Sequence, residues 1–231
     1  HLLVGMSERT TIYAAQLLIQ VLFEKGIVEK ITIVKIPHKR DFMHIDTVFT
    51  QARRNVWVVL GSLARRESPR LDEQIDPTMG RLIPPKADEE MKLVQFRRGQ
   101  AKPIEIENLE DLLREISVED LGCNPATVKF VYSGNNEFPY GAREQWTDSC
   151  NLLALREGVV VGYDRNDKTV EAFRQAGFQP VRASDLLAQF ERGEASPDTL
   201  GDTLILLPSA ELSRARGGSH CMSMPLLRDA L

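Results

Sequence analysis

Two short segments carry side chains able to do chemistry. In Met43-His44-Ile45-Asp46-Thr47 an imidazole and a carboxylate stand two residues apart. Read as part of a strand from His44 to Thr50, that spacing puts His44 and Asp46 on one face and Met43, Ile45 and Thr47 on the other. An inward-facing pair of this kind can bind a cation and move a proton. A satisfied His–Asp pair on a polar strand face would read the same way. The second segment is Arg216-Gly217-Gly218-Ser219-His220-Cys221-Met222-Ser223-Met224-Pro225. Its two glycines admit backbone conformations closed to other residues and let a ligand come close. A cysteine there, beside His220, is a nucleophile if its thiolate is favoured. The plainer reading is a buried cysteine after a turn, the usual state of a free cysteine.

Two further segments are ambiguous on spacing alone. Ala142-Arg143-Glu144-Gln145-Trp146-Thr147-Asp148 either lines a site or makes a buried ion pair at the start of a strand. In Ser7-Glu8-Arg9-Thr10, Arg9 has the planar fork that grips carboxylates. A helix-capping segment with solvated charges is the plainer account of it.

The elements that must position these residues repeat one pattern. Leu2 to Gly5 reads as a strand. Thr10 or Thr11 caps a helix whose Ile12, Ala15, Ile19, Leu22 and Phe23 recur at helical spacing, with Gly26 as its stop and Ile31 to Ile36 as a following strand. Strands at 44–50 and 56–60 flank a hairpin loop at 51–55. The stretch 62–106 is rich in proline and charge and reads as irregular, with one strand near Met91 to Phe96. Asn108 caps a helix carrying Leu109, Leu112, Leu113 and Ile116, and a strand runs from Thr127 to Tyr132. Leu152–Leu155 and Val159–Tyr163 are strands joined by Arg156-Glu157-Gly158. A helix capped by Asp167 and ended by Gly177 follows, then a strand from Phe178, a helix over Ser184–Phe190 and a strand over Asp202–Leu207. Strand–strand–helix–strand thus occurs twice, which predicts an α/β fold with polar side chains where the units converge.

Composition narrows the function classes. The net charge of −4 argues against nucleic acid as a partner, because phosphate contacts need a basic face. The three cysteines, Cys123, Cys150 and Cys221, are odd in number and show no CxxC spacing, which argues against a disulfide framework or a zinc ribbon. No apolar run has the length of a membrane span and no segment reads as a signal peptide, so the cytoplasm is the expected compartment. The chain enters at once on an apparent strand at His1, which reads as a fragment.

In combination the motifs resemble the arginine deiminase family. They are Gly-Met-Ser-Glu-Arg-Thr at 5–10, Met-His-Ile-Asp-Thr-Val-Phe-Thr at 43–50, Arg-Glu-Gln-Trp-Thr-Asp at 143–148, Gly-Val-Val-Val-Gly-Tyr-Asp-Arg-Asn-Asp at 158–167 and Arg-Gly-Gly-Ser-His-Cys-Met-Ser-Met-Pro-Leu at 216–226. The resemblance implies a pentein-like, pseudo-fivefold α/β propeller of ββαβ units, here partial with its N-terminal units missing. Residues 1–231 would then be a single catalytic-domain fragment, with 62–106 as an irregular insertion or loop. It places the nucleophile on Cys221, the general acid/base on His44 and a guanidinium-binding carboxylate on Asp46. Arg9 and Arg216 fall on substrate-contacting arginines, and Gly218 joins the substrate-binding residues. The implied reaction converts L-arginine to L-citrulline and ammonia through an S-alkylthiouronium on Cys221. No metal or organic cofactor is required, the partner is the small-molecule substrate rather than nucleic acid or membrane, and a homo-oligomer is compatible.

Two features depart from the family's pattern. Its Glu-Gly-Gly-Asp segment, whose Glu supports the catalytic His, would sit just before His1, and a further guanidinium-gripping Asp lies upstream of that. This chain contains neither, so the fragment alone is expected to be inactive. Ser219-His220 replaces the Pro-Arg that commonly precedes the cysteine; His is common there in related guanidine-modifying enzymes. Competing readings are a related guanidine hydrolase or amidinotransferase, a non-catalytic binding protein with a degenerate site, and a zinc site from His44, Asp46, His220 and Cys221.

Overall fold

The computed structural model describes residues 1–38, 42–64, 91–214 and 216–226. In chain order its elements are β1 (Leu2–Met6), α1 (Ile12–Glu24), β2 (Lys30–Lys35), β3 (Phe49–Arg53), β4 (Val56–Val59), α2 (Gly61–Ala64), β5 (Lys92–Arg97), β6 (Ile104–Ile106), α3 (Leu109–Glu115), β7 (Lys129–Tyr132), α4 (Tyr140–Trp146), β8 (Leu153–Arg156), β9 (Val159–Tyr163), α5 (Asp167–Ala176), β10 (Gln179–Arg182), α6 (Ala183–Glu191) and β11 (Thr203–Leu207). The fold is mixed α/β with three small mixed sheets. Two compact units share them, His1–Val48 with Gly61–Val128 and Phe49–Leu60 with Lys129–Leu231.

In the first unit β1, α1 and β2 make a parallel crossover, with Leu2 opposite Ile31 and Met6 opposite Lys35. The Thr11 hydroxyl accepts the Ala14 N–H at 3.2 Å, which satisfies one of the orphan donors of the first turn of α1. Ala15, Ile19, Leu22 and Phe23 pack on Ile31, Ile33 and the β1 side chains. Ile12, expected on that face, is 64% exposed, because the apolar stripe begins only at Ala15. Within the stretch 62–106, expected to be irregular, the strand expected near Met91 to Phe96 is present as β5, while a helix at the start and β6 at the end correct the expectation. Gly61–Ala64 is helical, and β5 pairs antiparallel with β2 and then with β6, extending the sheet to the order β1-β2-β5-β6. Residues 65–90 of that stretch lie outside the described residues. The Asn108 side chain accepts the Asp111 N–H at 2.9 Å, and Leu109, Leu112 and Leu113 of α3 are fully buried.

In the second unit β3 and β4 form an antiparallel hairpin and β7 joins β4 in parallel. The expected strand from His44 begins only at Phe49, and the expected five-residue loop contracts to Arg54-Asn55. β7 starts at Lys129 rather than Thr127, which ends a 3-10 turn over Pro125–Thr127. The last sheet has the order β10-β11-β9-β8, with β8–β9 antiparallel and the other pairs parallel. All five residues of β9 are buried, and Val159 and Val161 pack with Leu186 of α6 and Ile205 of β11. Gly177 ends α5 with φ +101°, a left-handed conformation that costs glycine nothing sterically.

Candidate active-site elements

In the first unit the His44–Asp46 segment is not a strand. Ile45–Thr47 forms a 3-10 turn, with His44 extended immediately before it. The His44 carbonyl accepts both the Thr47 N–H at 3.1 Å and the Thr47 hydroxyl at 2.6 Å, a local pairing that competes with sheet formation. The co-facing argument from strand alternation therefore does not hold here, because residues two apart in a 3-10 turn do not share a face. The turn is instead docked on the end of β1. A Cβ at Gly5 would sit 3.0 Å from the Ile45 Cβ, so the glycine permits the approach. The Ser7 hydroxyl donates to the Met43 carbonyl at 2.7 Å, and an Arg9 guanidinium nitrogen lies 3.7 Å from the Met43 sulfur. Arg9 is thus brought beside the His44–Asp46 turn, with the His44 and Arg9 side chains exposed and Asp46 half-buried.

In the second unit the cysteine loop is fastened to β8 and β9. The Ser219 hydroxyl accepts the Leu153 N–H at 3.1 Å and donates to the Val161 carbonyl at 2.5 Å. The carbonyl of Asn151 accepts the His220 N–H at 3.3 Å, and its side-chain oxygen accepts the Cys221 N–H at 3.0 Å. Gly218 is pressed against Asn151, since a Cβ there would fall 2.6 Å from the Asn151 Cβ. Cys221 itself is exposed and is not in a disulfide. Cys150 is buried instead, and burial pushes its thiol up to about 12, which keeps it protonated and inert near neutrality.

Arg216 is held at the base of the same loop. Arg216 and Gly217 adopt φ +71° and +112°, so the chain turns through two left-handed residues. Asp148 accepts the Gly217 N–H at 2.7 Å, and its other oxygen lies 3.5 Å from the Arg216 guanidinium. That guanidinium stacks 4.8 Å over the Trp146 ring, a cation–π contact. The Tyr163 hydroxyl donates to the Gly217 carbonyl at 3.0 Å. Burial, then the charges of Asp148 and Cys221, push its pKa up, so it remains a donor.

Residues 140–146 are helical, not the start of a strand. Glu144, 1% exposed, accepts the N–H of Lys168 at 2.9 Å, the N–H of Thr169 at 2.8 Å and the Thr169 hydroxyl at 2.7 Å. It therefore caps α5 from outside the helix, in place of the expected Asp167. Asn166, the residue at the cap position, donates from its side-chain amide to the Thr147 carbonyl at 3.3 Å and accepts the Thr147 hydroxyl. Sequence reading missed Asn151 and Glu144 as organisers, because both bind backbone groups brought near only by folding; no local spacing marks either.

The arginine deiminase family model matches residues 1–228. The arginine deiminase of Staphylococcus haemolyticus (strain JCSC1435) is 30% identical over 231 residues, covering 99% of this chain and 44% of the relative. That of Staphylococcus aureus (strain MRSA252) is 30% identical over 230 residues, again with 99% and 44% covered. The chain therefore spans less than half the length of these curated relatives. Among the described residues no helix is long and apolar enough to cross a membrane. The chain belongs to the arginine deiminase family.

Proposed function

We propose that the protein from which this chain derives hydrolyses the guanidinium group of L-arginine to L-citrulline and ammonia, with Cys221 as nucleophile. The observation that carries the reading is the exposed thiol of Cys221 on a glycine loop fixed to β8 and β9, in a chain matched along its length by the family. The cytoplasm remains the compartment this reading expects.

A guanidinium carbon is a weak electrophile because its charge is delocalised. Asp46 binds the cation and holds it in a fixed orientation. The Cys221 thiolate, favoured by the cationic substrate, forms the S–C bond. As the C–N bond breaks, His44 gives its proton to the departing ammonia and an S-alkylthiouronium remains. Neutral His44 then takes a proton from water. The hydroxide equivalent forms the C–O bond, the C–S bond breaks, and citrulline leaves with the thiol restored. Arg9 and Arg216 suit a substrate bearing an α-carboxylate, and Gly218 admits it close to the backbone. Agmatine has no carboxylate, so it should turn over poorly. The partial pentein-like propeller is the architecture this reading expects, with the two ββαβ-like strand sets in the chain as its support.

The test uses the full-length protein. Wild type should release ammonia from arginine and trap a covalent adduct when the second step is slowed, and Cys221→Ala should do neither. Undiminished turnover in that variant would remove Cys221 from the chemistry.

A further inference from the structure

We infer that Asn151 is a positioning residue for the Cys221 nucleophile, an inference that rests on the reading of Cys221 given above. Asn151 is fully buried. It holds two consecutive residues of the loop. Its carbonyl accepts the His220 N–H at 3.3 Å, and its side-chain oxygen accepts the Cys221 N–H at 3.0 Å. Its own N–H donates to the Asp148 carbonyl at 3.0 Å, and Asp148 in turn accepts the Gly217 N–H. Asn151 thereby joins the two ends of the loop, and Gly218 lets the backbone lie directly against it.

The bond to the Cys221 N–H is the one with a chemical consequence. It fixes the 220–221 peptide plane, and that plane sets the direction of the Cα–Cβ bond that carries the sulfur. An exposed turn would otherwise let this peptide rotate, and misplacing a reacting atom by about 1 Å can cost roughly 100-fold in rate. The residue type is telling. Among the described residues the Asn151 side-chain nitrogen has no hydrogen-bond partner, and an unpaired buried donor costs about 1–3 kcal/mol. A residue chosen for packing alone would avoid that cost. Aspartate would supply the same acceptor, but its charge beside the sulfur would disfavour the thiolate. An amide orients the peptide and leaves the thiolate undisturbed.

The experiment compares Asn151→Ala and Asn151→Asp in the full-length protein. Its readouts are kcat and KM for arginine and the pH profile of Cys221 alkylation by iodoacetamide. Asn151→Ala should lower kcat about 10- to 100-fold with KM nearly unchanged. Asn151→Asp, equal in size, should displace the alkylation profile to higher pH and lose kcat at neutrality, with partial recovery as pH rises. If Asn151→Ala does not fold, the isosteric variant decides alone. In Asn151→Asp, a fall in kcat with an unmoved alkylation profile would make Asn151 merely structural and overturn the inference, as would wild-type behaviour of both variants. Either result, with Cys221→Ala inactive, leaves the nucleophile in place. Turnover surviving in Cys221→Ala would defeat both readings.

Discussion

The cysteines show how environment divides one residue type into different roles. Cys150 and Cys221 both belong to the second unit, yet the first is 1% exposed and the second is open. Only a thiolate attacks an electrophile at a useful rate. With its pKa pushed up to about 12, Cys150 is almost wholly protonated between pH 7 and 9, and raising the pH within that range frees little of it. Iodoacetamide applied to the native full-length protein at pH 8 should label Cys221 and spare Cys150, with labelling of Cys150 appearing once the protein is denatured. Peptide mass spectrometry reads both sites. Equal labelling of the two in the native state would contradict the burial on which the distinction rests.

Among the elements, the helices that cap themselves were legible and the one that borrows its cap was not. Thr11 and Asn108 precede apolar stripes at the spacing a cap requires, and each accepts an N–H three residues on. Gly177 was marked by its type. For α5, Asp167 looked like the cap because it opens a periodic run, but the helix start is served by Glu144, 23 residues earlier in sequence. The His44 turn failed for a related reason. Alternation in 43–50 matches a strand, while Thr47 offers the backbone a local partner and the missing side chain of Gly5 seats the turn on β1. Motif residues could be named from the sequence; the groups that hold them could not, since their partners lie far away along the chain. Glu144→Gln tests the borrowed cap. The amide keeps one oxygen for three donors and turns its NH2 toward the rest. The full-length protein should lose about 1–3 kcal/mol in chemical denaturation. A loss below about 0.5 kcal/mol, the range of ordinary surface substitutions, would show that α5 does not depend on that carboxylate.

For the molecule as a whole, the proposed chemistry draws on residues widely separated along the chain. Arg9, His44 and Asp46 belong to the first unit, and Arg216, Gly218 and Cys221 to the second. Their cooperation is part of the proposal, and a kinetic cycle in the full-length protein tests it. If Cys221 forms the covalent bond and His44 serves the same bond-making and bond-breaking steps, each has value only while the other is present. Removing either should cost nearly as much as removing both, because groups that act as a unit are strongly non-additive. Cys221→Ala, His44→Ala and the double variant should therefore show similar residual arginine turnover. If the two residues served independent functions, their losses would multiply, and the double variant would fall below either single one by the full factor of the other. That multiplicative outcome would separate His44 from the chemistry of Cys221, even if each single variant were severely impaired.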